Sequence, residues 1–322
     1  MPSNGYKGAG AFALALSIFA AGCGRQPAAR TIGVVPKGRA HFFWQSVHAG
    51  AEKAAREAGV RILWNGPTSE TDYAGQIQIV EAMINQQVSA IALAPIDRKA
   101  MVGVVERAAR RNVPVVIFDS GIDTDQYVSM VATDNYAAGR LAAMRMGEIL
   151  QGKGKVAMVA VQPGAASTME RERGFEEASR EKFPGIEIVD KRYGMADFAK
   201  SLAVTENMLT AHPGLAGLFA SNESSTVGAS QALKQRKSAV KLVGFDWSQT
   251  LIEDLKAGVI DSLVVQHPFK MGEDSVRAAL ARLEGKTVEK DNSIAPLLIH
   301  IGNLEDPAVK ERINPPIEQY LK

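Results

Sequence analysis

Two short apolar runs in this sequence end abruptly at an aspartate. Residues 115–118 lead into Asp119, and residues 242–245 lead into Asp246 in the other half of the chain. In parallel α/β sheets, ligands bind at the carboxyl ends of the strands. A carboxylate at such an end can accept hydrogen bonds from a polar ligand. Two strand ends of this kind, one in each half, predict two lobes that close on one polar ligand.

Further polar and aromatic residues occur at comparable places. Asn222 and Gln266 also follow apolar runs, while Arg171 and Phe198 lie at or near predicted helix starts, and aromatic residues 42–44 follow the first predicted strand. Forked polar groups can bridge adjacent hydroxyls, and aromatic faces can cover a C–H surface. The residue types therefore predict a polyhydroxylated ligand. From the residues alone, an aspartate after a strand could equally cap the next helix, and Phe42 could be a core residue.

Composition limits the class of protein. The chain has 322 residues and is 46% hydrophobic, which is enough for a sizeable core and typical of two domains. Its 37 Lys and Arg nearly balance its 35 Asp and Glu, without a basic run. Nucleic-acid binding depends on clustered positive charge, so we expect no nucleic-acid partner and a neutral ligand.

The N-terminus has the pattern of an export signal. Lys7 is followed by an apolar stretch of small residues over 8–21, too short for a bilayer span of about 20 apolar residues. It ends in Ala20-Ala21-Gly22-Cys23, which resembles a bacterial lipobox. We therefore expect a signal peptide over 1–22, lipidation of Cys23, a tether over 23–30 and an exported protein anchored by lipid in the periplasm or at the cell surface. Ordinary secretion with cleavage nearby is the alternative. Cys23 is the one cysteine of the sequence, so no disulfide framework exists.

The remaining sequence alternates between strand and helix patterns. Short runs rich in Val and Ile predict ten strands, at 31–36, 60–65, 90–94, 114–118, 128–132, 156–161, 187–192, 217–220, 240–245 and 262–266. Amphipathic helices are predicted between them, at 42–59, 72–87, 98–111, 134–150 and 170–182. Apolar strands separated by helices indicate parallel sheets covered on both faces. Ten strands exceed one comfortable open sheet, so the fold class is α/β with two lobes.

No enzymatic signature stands out. The turn after the first strand, residues 36–41, has one glycine where a dinucleotide site has three. The sequence also has no G-x-S-x-G elbow and no paired-histidine zinc motif. We therefore predict a protein without catalytic residues, without a metal site and without a cofactor.

With these motifs in place, the chain resembles the ribose-type periplasmic sugar-binding proteins, the ligand-capturing components of ABC importers. The resemblance extends from Thr31 to about Ile299. It is carried by the following runs: Phe42-Phe43, Val115-Val116-Ile117-Phe118-Asp119, Thr133-Asp134-Asn135, Arg171-Glu172-Arg173-Gly174-Phe175, Ala196-Asp197-Phe198, Leu209-Thr210-Ala211-His212-Pro213, Phe219-Ala220-Ser221-Asn222, Val243-Gly244-Phe245-Asp246 and Gln266.

The resemblance implies a type I periplasmic-binding-protein fold with a three-segment hinge near Thr133, Gln266 and Ala295. The N-terminal lobe would comprise 31–133 plus 267–294, and the C-terminal lobe 134–266 plus 295–322. A monomer would capture a pentose, hexose or related polyol by hinge closure. It would deliver that ligand to an ABC permease with its ATPase subunits, and a chemoreceptor is a further candidate partner.

The resemblance also implies roles for individual residues. Phe42, Phe43 and Phe198 would sandwich the sugar. Its hydroxyls would be hydrogen-bonded by the polar residues Asp119, Arg171, Asn222, Asp246 and Gln266. Arg171 and Arg173 compete for one role, and the spacing to Gly174-Phe175 favours Arg171.

Several positions depart from the family pattern. Ser120 stands where the pattern has an arginine directly after the first strand-end aspartate, and Ala40 replaces an asparagine before the aromatic pair. The loss of these donors opens space, which favours a larger sugar or a polyol over ribose. Ser120 remains in the expected site, and Lys37, His41 and Trp247 are candidates for additional contacts.

Three alternatives use related scaffolds. A sugar-responsive repressor needs DNA-binding helices in front of the first strand, where this sequence has an export signal. A receptor for a furanosyl signalling molecule shares the fold and the export route, and the changes at Ala40 and Ser120 keep it open. A secreted hydrolase would be indicated by turnover of a bound glycoside.

Overall fold

The computed structural model describes residues 1–5 and 30–321 of the chain. The predicted signal segment from residue 6 onward, the predicted lipidation site Cys23 and the tether up to residue 29 lie outside the described residues. Within the described ranges, no helix is both long enough and apolar enough to cross a membrane.

The described chain alternates strands and helices. The strands are β1 Thr31–Val35, β2 Arg61–Trp64, β3 Ala90–Leu93, β4 Val115–Phe118, β5 Ser129–Thr133, β6 Lys153–Ala160, β7 Gly185–Tyr193, β8 Leu215–Ala220, β9 Lys241–Phe245, β10 Ser262–Val265, β11 Asp291–Ile294 and β12 Leu297–His300. The helices are α1 Phe42–Ala58, α2 Tyr73–Asn85, α3 Val102–Arg110, α4 Asn135–Ile149, α5 Ala166–Lys182, α6 Phe198–Ala211, α7 Glu223–Arg236, α8 Gln249–Lys256, α9 Pro268–Leu283, α10 Pro307–Ile313 and α11 Ile317–Tyr320.

These strands form two six-stranded sheets. The first has the order β11-β5-β4-β3-β1-β2, and all of its neighbouring strands are parallel. The second has the order β12-β10-β9-β8-β6-β7 and is parallel except for the edge strand β12, which runs antiparallel to β10. The α/β fold class with two parallel sheets is therefore confirmed.

Each sheet is covered by helices on both faces because successive residues of a strand point to opposite sides. In the first sheet, Ile32 and Val34 pack with α1 and α9, while Val35 packs with α2 and α3. In the second, Met158 packs with α4 and α5, and Val159 packs with α6, α7 and α8. Burial on both faces explains why the central strands are continuous apolar runs.

The chain passes between the sheets three times. β5 ends at Thr133 in the first sheet, and α4 then packs on the second. β10 ends at Val265 in the second sheet, and α9 returns to pack against α1. β11 ends at Ile294 in the first sheet, and β12 begins at Leu297 in the second. These passages coincide with the three expected hinge positions.

Two details differ from the prediction. Strands β11 and β12 were not predicted. Asp291–Ile294 is a polar edge strand without an apolar run, whereas β12 has only the short apolar run Leu297-Leu298-Ile299 and pairs antiparallel with β10. The expected placement of 295–322 in the C-terminal lobe is wrong for its last residues. Arg56 of α1 donates hydrogen bonds to the main-chain carbonyls of Gln319 and Tyr320, at 3.0 and 2.6 Å, and so holds α11 on the first lobe.

Candidate ligand-binding site

Asp119 and Asp246 occupy equivalent positions at the ends of β4 and β9. Both have left-handed backbones, with φ of 61° and 66°, a conformation in which Asp is enriched. The main-chain N–H of Asp119 donates to the carbonyl of Val131 at 3.0 Å, and that of Asp246 donates to Val264 at 2.9 Å. Each aspartate is therefore tied to the next strand of its own sheet, and each presents a buried carboxylate to the space between the lobes.

Most of the predicted polar residues surround one enclosed space between the lobes. Its volume of about 30 Å³ gives room for about two waters and is far below the ~300 Å³ of small-molecule pockets. The lobes therefore lie closed on each other, and a ligand can enter only if they separate. The side chains around this space are Lys37, His41, Phe43, Trp44, Glu70, Asp119, Ser167, Thr168, Arg171, Asn222, Glu223, Asp246 and Gln266.

Asp119 is paired with a lysine from another strand end. Lys37 Nζ lies 2.6 Å from Asp119 Oδ2 and also donates to Ser167 Oγ at 2.9 Å. The ion pair lacks hydrogen-bond alignment, so Oδ2 of Asp119 is buried without a hydrogen-bond donor among the described residues. Lys37 thus supplies a cation beside the first strand-end aspartate.

Ser120 itself connects the two lobes. Its Oγ accepts a hydrogen bond from the main-chain N–H of Ser167, at the start of α5, over 3.0 Å. Ser120 is fully buried but does not line the enclosed space. Its place in this structure is therefore behind Asp119, in the contact between the lobes.

Asp246 is held by neutral donors on both oxygens. Gln266 Nε2 donates to Oδ1 at 2.8 Å, and the main-chain N–H of Glu223 donates to Oδ2 at 3.0 Å. Gln266 Oε1 in turn accepts from Thr133 Oγ1 at 2.9 Å, which joins two of the three hinge passages. Burial raises the pKa of Asp246, against the opposing charge of Arg171. Gln266 therefore orients Asp246 at the hinge.

Arg171 and Asn222 both line the enclosed space. Arg171 is buried, with Nε donating to Asn135 Oδ1 at 2.8 Å and Nη1 donating to the Ser221 carbonyl at 3.0 Å. Its guanidinium lies over the Phe245 ring, 4.0 Å from the centroid. Asn222 caps α7 through its Oδ1. Arg173, the competing arginine, is half-exposed and does not line this space.

His41 forms an ion pair that the sequence did not reveal. Its Nδ1 lies 2.6 Å from Glu70 Oε1, which also accepts from Trp44 Nε1 at 2.6 Å. Burial acts to lower the pKa of His41, but the charge and hydrogen bond of Glu70, with the charges of Glu223 and Asp246, raise it to about 9. Burial acts to raise the pKa of Glu70, yet His41 and Lys37 bring it below its usual range. The imidazole is therefore charged at neutral pH.

The aromatic residues are arranged differently from the expected sandwich. Phe43 lines the enclosed space, whereas Phe42, Phe198 and Trp247 do not. Phe42 packs edge-on against Trp247, with 4.8 Å between ring centroids, because its ring joins the core of the second lobe. Phe198 packs edge-on against His41 at 5.1 Å and remains 38% exposed. These three rings therefore make contacts across the cleft.

Four residues around the enclosed space were not predicted from the sequence, and Trp44 was predicted only as part of the aromatic run 42–44. Glu223 directly follows Asn222, so extension of that predicted run would have found it. Glu70 lies in the loop before α2, while Ser167 and Thr168 lie in the first turn of α5. No motif marks these last three positions.

The site has no excess of positive charge. Four carboxylates (Glu70, Asp119, Glu223 and Asp246) face the three cations Lys37, His41 and Arg171. Burial raises the pKa of Glu223 to about 7, although His41 and the N–H groups of Phe43 and Phe42 act against the rise. No cluster of three or more potential metal ligands occurs among the described residues. The arrangement suits a neutral, hydroxyl-rich ligand.

Comparison with known proteins gives a consistent result. The family described as "Periplasmic binding protein domain" matches residues 32–287. The ribose import binding protein RbsB of Bacillus subtilis (strain 168) is 32% identical over 267 residues, covering 83% of this chain and 86% of the relative. Among solved structures, a carbohydrate transporter solute-binding protein from Agrobacterium radiobacter with D-arabinose is 34% identical, with a TM-score of 0.87, and the match covers 90% of this chain and 100% of that one. An ABC transporter solute-binding protein from Agrobacterium vitis with bound D-fucose is 34% identical, with a TM-score of 0.86 and coverage of 88% and 100%.

Proposed function

We propose that this chain, which belongs to the periplasmic binding protein family, binds one monosaccharide between its lobes. Its relatives named above are solute-binding proteins and not enzymes. The ligand class comprises pentoses, hexoses and related polyols. D-Arabinose and D-fucose in the complexes of related proteins make these two sugars the first candidates.

The observation that carries this proposal is the set of buried polar side chains that line the space between the lobes. Oδ2 of Asp119 lies 2.6 Å from Lys37 Nζ without an aligned hydrogen bond, so a sugar hydroxyl at this position would donate to it. Asp246, Arg171 and Asn222 supply further acceptors and donors around the same space. Together these groups match vicinal hydroxyls, which both donate and accept.

The remaining residues of the site would provide apolar contact and selectivity. Phe43 presents an aromatic side chain to the enclosed space, which suits the C–H surface of a sugar ring. Lys37 and His41 would add donors on the side of the first lobe. A ligand without a hydroxyl opposite these buried groups would leave them unpaired, so the site would reject it.

Ligand capture would proceed by opening and closing of the lobes. The enclosed space is too small for a sugar to diffuse in, and three passages at Thr133, Val265 and Ile294 connect the sheets. Rotation about these passages would admit the ligand, and closure would bury it. The closed form would then be recognised by an ABC permease.

We further propose export and lipid anchoring through Cys23, as the N-terminal pattern predicts. Metabolic labelling with a fatty acid tests this, because the label should be lost in Cys23→Ser.

A thermal-shift panel of pentoses, hexoses and polyols tests the binding proposal. A ligand that binds the folded state raises the melting temperature, and the shift grows with the logarithm of its concentration above Kd. We expect at least one neutral monosaccharide or polyol to do so, while disaccharides do not. A panel in which no neutral sugar or polyol shifts the melting temperature would refute the proposal.

A further inference from the structure

The first turn of α1 is capped by a carboxylate from the opposite lobe. Glu223 Oε1 accepts a hydrogen bond from the main-chain N–H of Phe42 at 3.1 Å, and Oε2 accepts from that of Phe43 at 3.0 Å. The first N–H groups of a helix have no partner within the helix and need an external acceptor. Here α1 packs on the first sheet, whereas Glu223 begins α7 on the second.

No described residue of the first lobe supplies this cap. His41, at the N-cap position of α1, makes no capping hydrogen bond, and the first turn of the helix contains no acidic residue. By contrast α7, the helix that Glu223 belongs to, is capped by Asn222, whose Oδ1 accepts from Ser225 N at 2.9 Å. The Glu223 carboxylate is therefore not needed by its own helix and serves the opposite lobe.

Glu223 also connects this contact to Asp246, the carboxylate proposed to bind the ligand. Its main-chain N–H donates to Asp246 Oδ2 at 3.0 Å, while its side chain reaches α1. The Phe42 ring packs against Trp247, next to Asp246, at 4.8 Å. The start of α1 is thus docked on the second lobe by two charge-assisted hydrogen bonds and one aromatic pair, and these contacts exist only when the lobes are closed.

We infer that Glu223 is a positioning residue that latches the closed state. The inference rests on the proposed function, because closure matters only for a ligand held in the cleft. Glu223 would act by slowing the reopening of the lobes, so that the dissociation rate of the bound sugar depends on it. Its hydrogen bonds with α1 form during closure, after the ligand has met Asp246 in the open cleft.

The test compares Glu223→Gln with Glu187→Gln at pH 8, above the pKa of about 7 to which burial raises Glu223. Glu187 is an exposed residue of β7 on the same lobe, so its variant controls for the loss of one negative charge. Stopped-flow kinetics with D-arabinose and D-fucose measures association and dissociation separately. Loss of hydrogen bonds to a charged group predicts a dissociation rate increased on the order of tenfold for both sugars in Glu223→Gln. The association rate should stay unchanged.

Each other outcome overturns the latch. An unchanged dissociation rate shows that the cap does not hold the lobes together. A change for one sugar only identifies Glu223 as a direct ligand contact. If the native protein binds neither sugar, the proposed function fails for these ligands. Hydrogen exchange at the amides of Phe42 and Phe43 then tests the latch by itself. Those amides should exchange faster in Glu223→Gln, and equal exchange contradicts the latch independently of any sugar.

Discussion

Asp119 and Asp246 have the same backbone geometry but opposite kinds of partner. Asp119 faces the ammonium of Lys37 at 2.6 Å, whereas Asp246 accepts from the neutral amide of Gln266 at 2.8 Å. Both carboxylates are buried, so each depends on its partner for compensation of the lost hydration. The two strand ends should therefore respond differently to substitution and to ligand charge.

Replacement of Lys37 by methionine should weaken sugar binding. The variant keeps the length of the side chain but leaves the Asp119 carboxylate without its cation when the lobes close. An uncompensated buried charge is costly, and we expect an affinity loss of at least about tenfold. Isothermal titration measures it, with Lys241→Met at an exposed position as the control. Equal affinities of the two variants would exclude Lys37 from the site.

The His41–Glu70 pair predicts a pH window for stability. The folded-state pKa of His41 is about 9, above its ordinary value of 6.5, so the pair stabilises fully below pH 6.5. This stabilisation is lost as the pH rises through 9, and it amounts to at most about 3 kcal/mol in the free energy of unfolding. NMR titration of the imidazole measures the pKa directly.

In Glu70→Gln the pair is gone, and burial should take the His41 pKa below 6.5. The stability difference between the native protein and this variant should then be larger at pH 6 than at pH 10. An imidazole that titrates near 6.5 in both proteins would contradict the ion pair.

A close helix contact positions Arg171. A Cβ added at Gly139 of α4 would overlap the main-chain carbonyl oxygen of Arg171 on α5. Gly139→Ala should therefore force the helices apart, lower the free energy of unfolding by about 1–3 kcal/mol and weaken binding through Arg171. Gly103→Ala in α3 meets open space and should raise stability by about 0.5–1 kcal/mol. Urea denaturation measures the free energy of unfolding of both variants. A harmless Gly139→Ala would show that α4 and α5 can separate freely.

Ligand charge provides a separate test of the site. Four carboxylates against three cations leave no free positive charge for an anionic ligand. A uronate should therefore bind at least about tenfold more weakly than the neutral hexose from which it derives, because its carboxylate would be buried without a partner. Competition between D-galactose and D-galacturonate measures the ratio. Tighter binding of the uronate would contradict the neutral-ligand assignment.

The sequence predicted the parts of this protein that local pattern determines. Strands buried on both faces appear as apolar runs, so β1 to β10 could be located, and with them the polar residues at the ends of β4, β8, β9 and β10. The polar edge strand β11 has no such pattern, because its pairing with β5 is a tertiary contact.

In the site too, local pattern could be predicted and tertiary contacts could not. Asp119 and Asp246 could be predicted because each terminates a recognisable strand. The ion pairs Lys37–Asp119 and His41–Glu70 could not be predicted, because their members are far apart in the chain. The strand order of the first sheet brings them together. Such pairs become visible only when the loops after β1, β2 and β4 are brought together. The contact of Phe42 with Trp247 likewise depends on closure of the lobes.

The most direct test of the account is isothermal titration of the native protein and Asp246→Asn with D-arabinose, D-fucose and D-ribose. Asp306→Asn, at an exposed position without a side-chain capping bond, is the control. We predict one binding site for at least one of these sugars, retained in Asp306→Asn and weakened about tenfold to a hundredfold in Asp246→Asn, with the melting temperature of the ligand-free protein unchanged. Absence of binding to any of the three sugars, or equal affinity in Asp246→Asn, would contradict a sugar site anchored on Asp246.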